Sequence, residues 1–83
     1  MKIFCLFDKK ACEYSCVTVE RNQAMFERSI AQQINLVKPN ILLYTNSADF
    51  DIYCLGEMDN GTGIIISDVK YIRNCSELKQ EVN

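Results

Sequence analysis

The chain contains no histidine and no tryptophan, and it has only one proline and three glycines among 83 residues. The absence of histidine removes the side chain most often used as a general base and as a metal ligand. Catalysis would then need a tuned carboxylate, lysine or cysteine, and no spacing in the sequence sets a nucleophile beside such a base. We therefore expect a protein that is not an enzyme and that binds no cofactor.

A strong charge of one sign and long apolar runs are also missing. Nine Lys/Arg against eleven Asp/Glu give a formal net charge of −2, which argues against general attraction to nucleic-acid phosphates. The apolar runs at residues 41–44 and 64–66 are too short to span a membrane, and residues 1–7 are too short for a secretory apolar segment. We expect no membrane association.

What the composition does contain is enough apolar material for one core. Hydrophobic residues make up 48% of the chain and charged residues 24%, which is typical of a globular domain. A chain of this length builds a single domain. We assign residues 1–73 to that domain, and residues 74–83 to a polar tail that is either a frayed helix capped by Ser76 or disordered.

Cysteine is the one residue type in excess, and its odd count prevents complete pairing within one chain. The five are Cys5, Cys12, Cys16, Cys54 and Cys75. Cys5 and Cys54 lie in apolar strand patterns that suit small buried thiols. A zinc site from the other three and Cys54 would lack the paired C-x-x-C spacing of structural zinc, so we expect inert thiols and no metal.

The first half of the chain predicts two strands and a helix. Residues 2–7 and 14–20 are rich in strand formers, and the segment between them favours a loop over a two-residue hairpin turn. Apolar residues then recur at helical spacing, namely Phe26, Ile30, Ile34 and Val37. Together with Asn22 as N-cap and Pro39 beyond the end, this spacing predicts an amphipathic helix over residues 23–37.

The second half predicts a hairpin. Residues 40–48 favour one turn of helix packed under the sheet, and residues 50–58 alternate as a half-buried strand. Residues 59–63 predict a turn with left-handed Asn60 and Gly61, leading into a strand at 64–66. The expected fold class is α+β: a small antiparallel sheet of about four strands, in the order β-β-α-β-β, with one amphipathic helix covering one face.

Two other binding sites were weighed on the same hairpin and are not predicted. Gly61 and Gly63 lack the third glycine and the following helix of a phosphate loop. Four acidic residues could suggest a calcium site: Asp49, Asp51, Glu57 and Asp59. They are spread along a strand whose side chains alternate between faces, so we expect solvated carboxylates and turn residues.

Interleaved aromatic and basic residues leave a nucleic-acid-binding module open as an alternative function. The aromatic candidates for base stacking are Phe4, Phe7, Tyr53 and Tyr71. The cations that would follow a phosphate backbone are Lys2, Lys9, Lys10, Lys70 and Arg73. A homodimer is also plausible, because a four-stranded sheet with one covering helix leaves its second face or its edge strands for another copy.

Several of these residues also carry a family resemblance. The run Phe7-Asp8-Lys9-Lys10-Ala11, a helix with Ala24, Phe26 and Arg28, and the run from Ala48 to Asp59 followed by Gly63 resemble the small non-structural protein of gokushoviruses, which are single-stranded DNA microviruses. The matching positions of the motif are Phe7, Asp8, Asp49, Phe50, Tyr53, Leu55, Gly56, Asp59 and Gly63. Ala48 stands where that family usually has proline, Phe7 replaces tyrosine, and Met58 replaces an aromatic residue.

The resemblance implies a phage accessory protein that acts in the bacterial host cytoplasm by binding. Its expected role is in the switch to single-stranded DNA synthesis and genome packaging. The partners it implies are viral replication or capsid proteins, or a host replication factor, with single-stranded DNA as a possible ligand. Inhibition of a host factor is a further alternative. The motif contains no active site, so its residues are expected to be mainly structural.

Overall fold

The computed structural model describes residues 1–35 and 42–79, which form one sheet and its covering helices. The strands are β1 (Lys2–Asp8), β2 (Glu13–Glu20), β3 (Phe50–Met58) and β4 (Ile65–Asn74). Between β2 and β3 lie the helix α1 (Gln23–Ile34) and the single helical turn α2 (Leu42–Thr45). The strands are antiparallel in the order β2-β1-β3-β4, which confirms the predicted α+β fold and its element order.

The helix α1 covers one face of the sheet with the apolar stripe that its sequence predicts. Phe26, Ile30 and Ile34 are its buried residues, and the ring of Phe26 stacks on Phe4 of β1 at 5.2 Å. The core beneath α1 continues into the sheet and the C-terminal turn: Phe4, Leu6, Leu43, Phe50, Ile52 and Cys75. Because Leu43 belongs to this core, the predicted helical turn does pack under the sheet.

Both ends of α1 have identifiable causes. Asn22 caps the start as predicted, since its side chain accepts a 3.0 Å hydrogen bond from the backbone N–H of Met25. The helix ends at Ile34, with Asn35 as C-cap, three residues before the predicted end. The Asn35 amide donates to the carbonyls of Ala31 and Leu78, which ties this end to the C-terminal turn. Val37, Pro39, Asn40 and Ile41 lie outside the described residues.

The strand β4 is longer than the predicted 64–66. It pairs with β3, but the register shifts twice. The first shift lies between Ile52 and Tyr53, and in the second Cys54 lies opposite Lys70 while Gly56 lies opposite Ser67. Two residues of β4 therefore oppose Leu55, which is a β-bulge. The bulge interrupts the two-residue alternation, and this interruption is why the sequence pattern did not reveal the rest of the strand.

Glycine is required at Gly56 of β3. Its φ of +142° is one that side-chain-bearing residues rarely adopt, and an added Cβ would lie 2.0 Å from the carbonyl oxygen of Ile66. The register of β1 with β3 shifts at the same point, between Ile3 and Phe4. Gly56 thus allows β4 to approach β3 closely where the sheet changes register on both sides.

The turn between β3 and β4 differs from its prediction in one detail. Gly63 takes the left-handed conformation, with φ +76°, and Asn60 and Gly61 do not, so that part of the prediction was wrong. The cause is the side chain of Asp59, which accepts hydrogen bonds from the N–H groups of Gly61 and Thr62 at 2.8 and 3.0 Å. This keeps the first turn residues right-handed and moves the reversal to Gly63.

The segment after β4 is tied to the sheet. Asn74, rather than Ser76, caps the 3₁₀ turn Cys75–Leu78 in a capping box with Glu77. The Asn74 amide also donates to the carbonyls of Ala48 and Phe50 and to the Asp51 carboxylate. Cys75 is fully buried in the core. The division of the chain at residue 73 remains a prediction, and residues 80–83 lie outside the described part.

Candidate interaction surfaces

The side of the sheet that faces away from α1 carries a second apolar surface, which we call the open face. Its members are Ile3, Cys5, Phe7, Tyr14, Val17, Val19, Tyr53, Leu55, Val69 and Tyr71. Directly paired residues share a face, as Phe7 does with Tyr14 and Tyr53 with Tyr71, and the others follow by strand alternation. Ile3 and Cys5 are buried but lie outside the core cluster under α1.

Four aromatic rings, one from each strand, form a continuous row across the open face. Phe7 and Tyr14 have ring centroids 4.7 Å apart, Tyr14 and Tyr53 5.4 Å, and Tyr53 and Tyr71 5.7 Å. The two contacts between tyrosines are edge-to-face, the geometry that the ring quadrupole prefers. The row therefore holds its rings in a fixed arrangement while Tyr14 and Tyr71 stay about half exposed, at 50% and 56%.

The row includes two of the predicted base-stacking residues on β3 and β4, together with Phe7, but not Phe4. Phe4 is 1% exposed and packs against Phe26 in the core, so the prediction that it stacks bases was wrong. Tyr14 was not predicted. Tyr14 begins the second predicted strand and lies opposite Phe7 across the first hairpin. This position is the signal that could have identified Tyr14 as a member of the aromatic row.

The acidic side chain on the open face is Asp51, at one end. Asp51 lies opposite Phe7 in the sheet, and its nearest cation is Lys9, with Nζ 4.0 Å from Oδ1. Burial raises the pKa of Tyr53, and the proximity of Tyr14 and Asp51 raises it further. Burial and Asp51 also raise the pKa of Tyr71, while Glu77 and Arg73 influence it in opposite directions. Both hydroxyls therefore remain neutral hydrogen-bonding groups at physiological pH.

The cations proposed to contact a nucleic-acid backbone do not gather around the tyrosines. Lys70 lies opposite Cys54, on the covered side, and its Nζ is 3.1 Å from Asp68. Arg73 donates to Glu27 of α1 at 2.7 Å and lies 3.9 Å from Glu77. Lys9 is near Asp51, as above, and Lys10 is exposed in the β1–β2 turn. Lys2 lies 3.3 Å from the Glu57 carboxylate, so four of the five proposed cations already have carboxylate partners.

The second exposed surface is the end of the β3–β4 hairpin, which we call the hairpin tip and define as Ile64, Ile65 and Ile66. These three consecutive side chains are 61%, 60% and 68% exposed. Beside them lies a shallow groove whose lining is partly apolar (Met1, Met58, Ile64 and Ile66) and partly from the turn and its flank (Glu57, Asp59, Asn60, Gly61 and Thr62). Since β4 is at the edge of the sheet, its outward backbone groups are available to another strand.

The motif residues of the family resemblance have structural places in this fold. Asp8 and Asp59 act alike, each accepting hydrogen bonds from the backbone N–H groups two and three residues further on in its hairpin turn. The hydrogen bond from the Thr62 N–H and, to a smaller extent, the one from the Gly61 N–H lower the pKa of Asp59. Phe50 is a core residue, and the Asp49 carbonyl accepts from the Lys9 N–H at 2.9 Å. Leu55 and Tyr53 contribute to the open face.

The cysteines and carboxylates weighed as metal ligands are not brought together. All five thiols are free, with Cys5 and Cys75 buried and Cys12 and Cys16 exposed. Within residues 1–35 and 42–79, no three His, Cys, Asp or Glu side chains are placed to hold one metal ion. Over the same residues, no helix has the length and hydropathy needed to cross a membrane.

A comparison with known families shows which family the chain belongs to, which the geometry alone does not show. The family model described as Phage ORF5 protein matches residues 1–78. The chain belongs to this family. The match includes every strand, both aspartate-capped turns and the open face, so this phage protein carries its two exposed surfaces within the family region. No curated protein and no solved structure matches the chain.

Proposed function

We propose that this phage protein is a non-enzymatic accessory factor that acts by binding protein in the bacterial host cytoplasm, in the switch to single-stranded DNA synthesis and genome packaging. The observation that carries the proposal is the hairpin tip, where three consecutive isoleucines at the start of the edge strand β4 and just before it are at least 60% exposed. Membership of a phage family supports a viral role. The resemblance to the gokushovirus non-structural protein supplies the stage of infection.

The chemistry of the hairpin tip suits a protein partner. An edge strand can extend its sheet onto a strand of another protein, with backbone hydrogen bonds for affinity and apolar side chains for specificity. The neighbouring groove provides space for an apolar side chain between Met1 and Met58. The partner classes are a viral replication protein, a capsid protein or a host replication factor. Binding of a host factor without viral proteins would indicate the inhibitor alternative.

The test is affinity capture from infected cells with wild-type protein and two variants. Ile66→Lys adds a charge to the hairpin tip, and Met25→Lys adds the same charge to an exposed site on α1, where the side chain is 50% exposed. We expect the wild type and Met25→Lys to retain a replication or capsid protein, and Ile66→Lys to lose it. Equal capture by all three, or capture of neither partner class, would refute the proposal.

A second candidate function, binding of single-stranded nucleic acid, is favoured by the aromatic row. Aromatic side chains on a sheet can stack bases without sequence preference. The acidic Asp51 at the end of the row and the paired cations Lys9, Lys70 and Arg73 disfavour it. Fluorescence polarisation with a labelled oligothymidylate decides the question. This alternative requires binding that weakens steeply with salt and that is lost in Tyr53→Leu.

A further inference from the structure

The open face presents an apolar surface that α1 does not cover. An antiparallel sheet with one covered face ordinarily alternates apolar inward and polar outward side chains. Here the outward positions of the central strand β1 are Ile3, Cys5 and Phe7, as apolar as its inward positions. On the flanking strands Val17, Val69 and Tyr71 are 60%, 54% and 56% exposed. Apolar patches of this extent on a soluble chain mark an interaction site.

The charge distribution narrows the kind of occupant. The interior of the open face has no charged side chain among its defined members, and Asp51 with Lys9 lies at its end. A nucleic acid needs cations around the aromatic row, and a charged peptide needs an opposite charge. The matching surface is a second sheet face with an uncharged centre and tyrosine hydroxyls near its margin. A second copy of this chain presents such a surface.

The area is also sufficient for a second copy. Five members of the open face are 38–60% exposed, which amounts to roughly 500 Å² per chain, so two faces packed together would bury about 1,000 Å², the lower bound of a specific interface. Two sheets can pack face to face with their side chains interdigitated. A two-fold axis between them would use the same patch of both copies, so that each contact between the copies occurs twice.

We propose that the open face is the interface of a symmetric dimer, in which the aromatic rows of two copies pack against each other. The dimer would leave both hairpin tips exposed for other partners. This inference does not depend on the proposed function, because it concerns a different surface and the mass of the purified protein alone.

The experiment is sedimentation velocity over a wide range of protein concentration. We expect the wild type to sediment at twice the 9.6 kDa chain mass. Val17→Lys and Val69→Lys each place a charge inside the open face, so each should weaken dimerisation by about 100-fold. Ile66→Lys, at a similarly exposed site on the other surface, should leave the dimer unchanged. Circular dichroism checks that each variant is folded. We expect all three to fold, because the substituted side chains are exposed.

Each other outcome overturns the inference. A wild type that stays monomeric at the highest concentration refutes it, as does a dimer that survives in both open-face variants or is lost only in Ile66→Lys. Addition of oligothymidylate provides a further arm. If the wild type is monomeric and the oligonucleotide binds it and quenches tyrosine fluorescence, the occupant of the open face is nucleic acid rather than a second copy.

Discussion

The strand β1 presents Phe4 and Leu6 to the helix on one side and Ile3, Cys5 and Phe7 to the open face on the other. Both sets are apolar, but only the first is covered by another element of the described chain. The two faces of β1 show that the hydrophobicity of a strand position and its coverage by another element are separate properties. How apolar a position is follows from the residue, whereas what covers it depends on the rest of the fold and on its partners.

The largest expected effect tests the difference in burial between the two faces. Phe4→Ala removes a ring that is 1% exposed and stacked on Phe26, so we expect it to lower the free energy of unfolding by about 3–5 kcal/mol. Phe7→Ala removes a partly exposed ring and should cost the monomer about 1–2 kcal/mol. Urea denaturation at low protein concentration measures both. Equal losses would contradict the assignment of the two faces.

The next effect tests the point where both strand registers shift. Gly56→Ala would place a Cβ 2.0 Å from the Ile66 carbonyl oxygen at a φ of +142°, so we expect a loss of about 3 kcal/mol. Gly61→Ala is the control, because the φ of Gly61 lies outside the left-handed region and a Cβ added there would meet the Asp59 carboxylate oxygen at 3.3 Å. Thermal unfolding distinguishes them. Similar melting temperatures for the two variants would show that β4 does not approach β3 as described.

A smaller effect compares one buried thiol from each face. Cys5 on the open face and Cys75 in the covered core are both 0% exposed. Replacing either thiol by a hydroxyl should cost about 1–3 kcal/mol, because the new polar group would be buried without an assured partner. Cys12→Ser, at an exposed turn position, should change stability by less than about 0.5 kcal/mol. If Cys5→Ser is as mild as Cys12→Ser, the open face is less closely packed than its geometry indicates.

The last prediction is a dependence of stability on alkaline pH. Burial raises the pKa of Cys5 to about 11 and that of Cys75 to about 12, from 9.0. Above pH 9 these thiols lose protons in the unfolded chain but keep them in the folded one, so stability should fall as pH rises toward 11 and 12. Urea midpoints across this range measure the slope. Cys5→Ala should make the slope shallower, and an unchanged slope would contradict the assigned burial.

Much of this fold follows from the sequence, because apolar residues recur in it at regular helical or strand spacing. The stripe of Phe26, Ile30 and Ile34 predicted α1, and the side chain of Asn22 marked its start. The alternation from Phe50 to Met58 gave β3 with its bounds. In each case one local rule, helical spacing or strand alternation, agreed with the tertiary packing.

The parts that escaped prediction are those where a specific contact, either with a neighbouring strand or within a turn, changed the regular pattern. The bulge opposite Leu55 hid most of β4, and the hydrogen bonds of Asp59 moved the left-handed residue to Gly63. Tyr14 and Phe4 had to be assigned to opposite faces, which required the register between β1 and β2. The aromatic row was predictable only in composition, because its geometry depends on the pairing of all four strands.

The position of β1 between β2 and β3 also bears on how the chain folds. The two hairpins, β1–β2 and β3–β4, join residues that are near in sequence, whereas the Met1 amine donates to the Met58 carbonyl across 57 positions. Contacts between near residues close small loops and form quickly, while those across a long segment are slower. We therefore expect two hairpins that form early and a β1–β3 seam that closes last. The aromatic row would then be completed only when that seam closes.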